Sequence, residues 1–265
     1  MKKKLFLGLA SALLPISASF AAVSYTGSYS QNFDGLANSG TGNAWAQDST
    51  LAGWYLYNSL GANIATYNAG DGSVNTGSFY SFGTGTATDR ALGGTASGGA
   101  YFGSPAAGSV AGYMALALLN SSGTTLDNFT LSFDGEQWRN GGNATAQTMQ
   151  LQYGFGSTFS GVTTWNSPGG NFDWTSPIAT STAAAVDGNS AGLVSGRGGS
   201  ITGLTWNDGD TLWIRWIENN DLGNDHGLAI DNFSISSTTA VPEPSTLTLG
   251  VIGGLAALFA AKRKK

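Results

Sequence analysis

Between residues 23 and 236, apolar side chains recur at every second position rather than every third or fourth. They fall in short runs separated by clusters of Gly, Asn, Asp and Ser. A period of two places alternate side chains on opposite faces of an extended chain, so the pattern predicts strands that bury one face and wet the other. Phe129, Leu131 and Phe133 alternate with Thr130 and Ser132, and Met149, Leu151, Tyr153 and Phe155 alternate with Gln150, Gln152 and Gly154. Further strands are predicted at 28–33, 113–119, 211–217 and 228–235. Residues 140–143, Asn-Gly-Gly-Asn, and 207–210, Asn-Asp-Gly-Asp, have the chemistry of turns, because Gly and Asn accept positive φ. The stretches 60–112 and 166–200, rich in Gly, Ser, Thr and Ala, read as long loops or weak edge strands. No repeat of 20 to 50 residues marks a solenoid.

Forty glycines and only 10% charged residues in 265 suggest disorder at first sight. Against that stand 8 Trp, 9 Tyr and 13 Phe, which give the chain enough large apolar surface to close a core. Residues 22–240 carry 15 acidic residues against four basic ones, Arg90, Arg139, Arg197 and Arg215, a net of −11. A field of that sign opposes binding to nucleic acid and attracts cations. Cysteine is absent, which excludes disulfides, thiolate metal sites and a cysteine nucleophile.

The remaining seven basic residues sit at the two ends. Lys2 to Lys4 precede an apolar run over 5–16, and small residues follow at Ser19 and Ala21. This is the layout of a secretory signal peptide, 1–21, with signal peptidase cutting after Ala21. Twelve residues of helix reach only about 18 Å, short of a hydrocarbon core of roughly 30 Å. At the other end Pro242, Glu243 and Pro244 precede an apolar stretch over 247–261 and then Lys262, Arg263, Lys264 and Lys265. Fifteen residues span about 22 Å as a short transmembrane helix, and the basic tail holds that end in the cytoplasm. Motif, apolar segment and basic tail, in that order over 241–265, resemble the PEP-CTERM sorting signal. The resemblance implies an exosortase as partner, export to the cell envelope or extracellular matrix, and anchoring in the membrane until the tail is processed.

The middle, 22–240, is read as a single domain. Asn32 to Gly35, Gly53-Trp54, residues 112–115 and 126–133, Thr211 to Trp216 and Gly227 to Phe233 together resemble a jelly-roll sandwich of the MAM-like or concanavalin-like kind. The fold expected is therefore all-β, an antiparallel jelly-roll β-sandwich flanked by a signal peptide and a short C-terminal transmembrane helix. The resemblance implies that the first and last strands lie side by side. The phrase from Gly135 to Gly142 is similar to a segment of bacterial surface proteins of this type.

Candidate chemistry is sparse. Residues 218–226 hold the densest polar cluster, which is either a hairpin loop or a source of oxygen ligands for a structural Ca²⁺ through Asp221 and Asp225. Strand adjacency in the resemblance adds Asp34 and Asp231 to that metal set. His226 is the single histidine, and no Gly-x-Ser-x-Gly elbow accompanies it, so neither a Ser-His-Asp triad nor a zinc hydrolase site is expected. Glu136 and Glu218 are the only glutamates of the domain. They stand as a possible carboxyl pair for glycoside hydrolysis, or else Glu136 pairs with Arg139. Trp138, Trp165, Trp174 and Trp206 are either sugar-stacking platforms or core. Trp213 and Trp216 alternate out of phase, so at least one leaves the inner face of its strand unless a bulge intervenes. These observations predict a non-catalytic surface or matrix protein, either purely structural or glycan-binding, with exopolysaccharide as the candidate partner and Glu136, Trp138 and Arg139 as the candidate ligand contacts. A polysaccharide-active hydrolase on the same fold is the alternative.

Overall fold

The computed structural model describes residues 22–238. The signal peptide, the Pro242-Glu243-Pro244 motif and the apolar stretch 247–261 lie outside the described residues. Among those described, no helix is long and apolar enough to cross a membrane.

The described chain is all-β, and two curled sheets pack face to face as a β-sandwich. In chain order the strands are β1 (Val23–Tyr25), β2 (Ser28–Gln31), β3 (Asn43–Ala44), β4 (Trp54–Asn58), β5 (Thr66–Gly70), β6 (Ser78–Phe82), β7 (Ala91–Thr95) and β8 (Ser109–Asn120). They continue as β9 (Leu126–Asn140), β10 (Thr148–Phe155), β11 (Trp174–Thr175), β12 (Ala184–Ala185), β13 (Leu193–Trp206), β14 (Thr211–Asn220) and β15 (Gly227–Ser236). One sheet has six strands in the order β1-β8-β14-β10-β11, with β4 beside β1 along the same edge of β8. The other has nine, β12-β9-β15-β7-β6-β5-β3, with β13 also on β9 and β2 also on β15. Pairing is antiparallel except for β1 with β8 and β5 with β6.

All six strands expected from alternation form. The 140–143 turn does not close a hairpin, however, because β9 and β10 belong to different sheets. The same holds for the 207–210 turn between β13 and β14, and for 221–226 between β14 and β15, which crosses from sheet to sheet. The strand leading into Asn32 to Gly35, β2, does adjoin the last strand, β15, with Gln31 opposite Phe233, whereas β1 pairs with β8. The regions read as loops hold β5, β6, β7 and the start of β13. Every residue of β6 and β7 is buried. A strand covered on both faces has no wet side to alternate with, so its sequence carries no period of two.

The core between the sheets is aromatic. Trp54 of the smaller sheet stacks on Trp216 at 5.6 Å, and Phe233 of the larger sheet meets both edge-on at 6.0 and 5.4 Å. Along β15, Leu228 and Ile230 face inward, and then Phe233 and Ile235 do. That change of parity needs one extra residue, and a bulge between Asp231 and Ser234, with Asn232 at φ 51°, supplies it. Trp216 is core, while Trp213, three residues earlier and so out of phase with it, lies on the outer face in a second aromatic cluster.

Candidate functional site

On the outer face of the larger sheet β9 presents Glu136 and Trp138, beside Ala229 of β15 and Phe82 of β6. Trp138 stacks on Phe82 at 6.1 Å, and its indole N–H donates to Glu136 Oε2 at 2.8 Å. The connection after β12 closes over this face, with Gly188 against the indole and the backbone N–H of Gly192 close to the turn at Asp187. Glu136 is thereby left 2% exposed and Trp138 1%. Arg139 makes no ion pair with Glu136; its Nη1 donates to the carbonyl oxygens of Gly72 and Ser73 at 2.9 and 3.2 Å. Trp138 consequently offers no free ring face to a sugar. Trp174 and Trp206, at 2% and 0% exposure, are core as well, and of the four tryptophans considered as platforms only Trp165 is half-exposed.

Burial drives the acid–base behaviour here. Glu136 is pushed up to about 7 by loss of water, and then by the carboxylates of Asp89, Asp134 and Asp187. Asp231, on the neighbouring strand, is pushed up to about 8, again first by burial and then by Glu136, Asp89 and Asp34. Its Oδ1 is buried without a partner.

Glu218 lies elsewhere. It projects from β14 into the interior, against Gly94 of the larger sheet, fully buried and held well above the usual carboxylate range by that burial. The larger sheet stands between Glu218 and Glu136, so the carboxyl pair envisaged for glycoside hydrolysis is not assembled. The four metal candidates do not converge either. Asp34 accepts from the Arg90 N–H and the Asn32 amide, and lies near Asp231. Asp225 accepts from the Asp221 N–H at 2.7 Å, ahead of β15. Six residues of extended chain, about 20 Å, run from Asp225 to Asp231. Among the described residues no group of three His, Asp or Glu side chains is gathered for a metal ion, so the residues proposed for Ca²⁺ do not fit a single coordination shell.

His226 is 1% exposed and structural. Its Nδ1 accepts from the Gly141 N–H at 2.9 Å, Nε2 lies 3.3 Å from the Thr145 carbonyl, and burial lowers its pKa. It therefore stays neutral and pins the 141–147 crossover to the start of β15.

The opposite outer face, that of the smaller sheet, carries a different arrangement. Odd-numbered residues of three adjacent strands point out there: Tyr55 and Tyr57 of β4, Tyr113 of β8, and Trp213 and Arg215 of β14. Ala115 and Ala117 between them are small, which lets the rings lean over the sheet. The segment after β10 then folds back across it, with a 3₁₀ turn at Phe159–Gly161 capped by Thr158 Oγ1. This sets Phe159 on Tyr57 at 4.2 Å and fixes Trp213 through a 3.0 Å bond to the Gly156 carbonyl. A cleft of about 160 Å³ opens between Tyr57, Phe159 and Trp213, edged by Asn63, Thr158 and Ser160. Beside it the Arg215 guanidinium is sandwiched 3.8 Å from the Trp165 ring centre and 4.4 Å from that of Tyr113. Its Nε donates to Gln152 at 2.8 Å. Aromatic walls with hydroxyls and amides at the rim suit the alternating C–H faces and hydroxyls of a sugar.

Of this cleft the sequence reading named Trp165 and the outward position of one tryptophan in β14. It missed Tyr55, Tyr57 and Tyr113, whose alternation was present in the sequence but looked the same as that of core strands.

No protein-family model and no curated protein matches the chain. Among solved structures it is similar, at 12% identity and a TM-score of 0.37, to an arabinose-bound α-L-arabinofuranosidase, with 84% of this chain and 30% of that chain covered. An isomalto-dextranase of Arthrobacter globiformis T6 complexed with panose is similar at 10% identity and a TM-score of 0.24, with 81% and 33% covered. The chain thus spans about a third of the length of either enzyme.

Proposed function

We propose that this chain is an exported, non-catalytic glycan-binding protein of the cell surface or extracellular matrix. It is delivered by its signal peptide and sorted through Pro242-Glu243-Pro244 and the apolar tail by an exosortase-type partner. The fold reading that goes with this is a jelly roll. Support for it comes from β2 lying beside β15 and from β13, β14 and β15 passing alternately between the sheets.

The observation that carries the binding role is the small cleft at Tyr57, Phe159 and Trp213, rings that are themselves only 6%, 9% and 1% exposed, with the half-exposed rings of Trp165 and Tyr113 beside it and a rim of Asn63, Thr158 and Ser160. Rings already stacked and hydrogen-bonded lose little freedom when a sugar docks, which favours binding over mere exposure. Exopolysaccharide is the proposed ligand. Affinity electrophoresis through gels containing the producer's own polysaccharide tests this. The full chain is expected to be retarded, and Trp165→Ala or Phe159→Ala to run freely, with Trp165→Ala still folded although its melting temperature falls with the loss of the Arg215 and Phe159 contacts. Equal mobility of wild type with and without polysaccharide would reject the reading.

A further inference from the structure

A second pocket, of about 340 Å³ and sharing no residue with the aromatic cleft, lies where β7 and β9 end and β15 begins in the larger sheet. Its lining is polar: Asn75, Ser97, Asn220, Asn224 and Asp225 surround Thr95 and Arg139, and the only carbon-rich contributions are from alanines and glycines. A bulge in β9 opposite Gly227 brings Arg139 and Thr95 together, because both pair with that glycine, whose absent side chain leaves the space between them.

Two of the residues that line the pocket each hold a polar atom buried without any partner, Arg139 Nε and Thr95 Oγ1. Arg139 is 8% exposed and spends Nη1 on the carbonyls of Gly72 and Ser73. Among the described residues no hydrogen bond reaches Nη2. What stays unused is the Nε/Nη2 edge of the guanidinium, the side of the fork that matches a two-oxygen acceptor. A guanidinium N–H buried without an acceptor is unfavourable, and a carboxylate on that edge would satisfy both donors at once. The nearby acids do not fill this role. Asp225 spends Oδ1 on the Asp221 N–H and is raised to about 7 by burial, while Glu218 behind the sheet is held well above its ordinary range. The hydrogen bonds of the Arg139 guanidinium go to backbone carbonyls and to neither of these carboxyls.

We propose that this pocket binds a carboxylate-bearing hydroxylated ring, a hexuronic acid unit, with the carboxylate on the Nε/Nη2 edge of Arg139 and the ring hydroxyls among Thr95, Asn220 and Asn224. The all-polar lining suits hydroxyls and excludes an apolar ligand. The site is distinct from the aromatic cleft and stands or falls independently of it.

Thermal melts of the full chain with D-glucuronate, and with D-glucose as the uncharged counterpart, test the proposal at constant ionic strength. Ligand that binds only the folded state raises the melting temperature in a saturable way. Glucuronate is expected to do so and glucose not. Ala183→Trp, a substitution at an exposed lining position, is expected to abolish the glucuronate response while leaving the unliganded melt in place. Arg139→Lys keeps the charge and loses the fork, and is expected to weaken the response by at least about tenfold. Trp165→Ala is expected to leave it intact. An equal response to glucose, no saturable response to glucuronate, or an undiminished response in Ala183→Trp would each overturn the proposal. Should Arg139→Lys fail to fold, Ala183→Trp still decides the matter.

Discussion

Replacing Glu136 by Gln should stabilise the protein at alkaline pH and do little in mild acid. Glu136 is 2% exposed and its carboxyl accepts the Trp138 indole N–H at 2.8 Å. Glutamine keeps the shape and the accepting oxygen, and its amide donor takes the place of the proton that the buried acid retains. In the folded protein the midpoint is raised from 4.5 to about 7, so unfolded chains ionise first as pH rises. The contribution of Glu136 to stability is therefore fully present below about 4.5, is lost between there and about 7, and does not return above. Displacing a midpoint that far is worth about 3 kcal/mol at about 1.4 kcal/mol for each pH unit. Urea unfolding followed by tryptophan fluorescence at pH 5 and pH 8.5 measures it. Wild type and variant should agree within about 1 kcal/mol at pH 5, and the variant should be more stable by about 2 to 3 kcal/mol at pH 8.5. Asp231, raised to about 8 partly by Glu136, should then titrate at a lower pH in the variant. Stability–pH curves that stay parallel across this range would refute the reasoning.

Other substitutions read different parts of the account. Gly72 has φ +82°, and a Cβ there would lie 1.7 Å from the Trp138 carbonyl, so Gly72→Ala should cost about 3 kcal/mol in urea unfolding. Gly61 also has positive φ but nothing within 4 Å, so Gly61→Ala should cost only about 1 kcal/mol. Glu218→Gln should raise stability above pH 7 for the reason given for Glu136, whereas Glu218→Lys, placing an unpaired cation in the same buried spot, should prevent folding, as circular dichroism would show. If the N-terminal segment is a signal peptide, N-terminal sequencing of exported protein should begin at or beside Ala22, and an intact Met1 on exported material would argue against it.

The strands that wet one face were legible from the sequence, since β9 and β10 each repeat the hydrophobic–polar alternation that their sheet requires. Strands β6 and β7 were not, because Ser78 to Phe82 and Ala91 to Thr95 are buried on both sides and show no polar phase. Turn chemistry told where the chain reverses but not whether it stays in one sheet: Asn140 to Asn143 reads the same for a hairpin as for a crossover. At the sites, Trp138 and Arg139 were singled out for residue type, and one proved to be sealed beneath the 187–192 connection while the other lines the polar end pocket. Neither the covering segment nor the folding-back of Phe159 onto Tyr57 is a local feature of the chain, and both decide which aromatic ring meets solvent.

Indole resonances provide the most direct test of the glycan-binding claim. The chain has eight tryptophans, of which Trp213 lines the aromatic cleft and Trp165 flanks it. Titrating oligosaccharides cut from the producer's polysaccharide into ¹⁵N-labelled protein should move the Nε1–H signals of those two and leave the core signals of Trp54, Trp206 and Trp216 in place. Saturating movement of the core signals instead, or no movement at Trp165 and Trp213 while ligand is demonstrably bound, would contradict it.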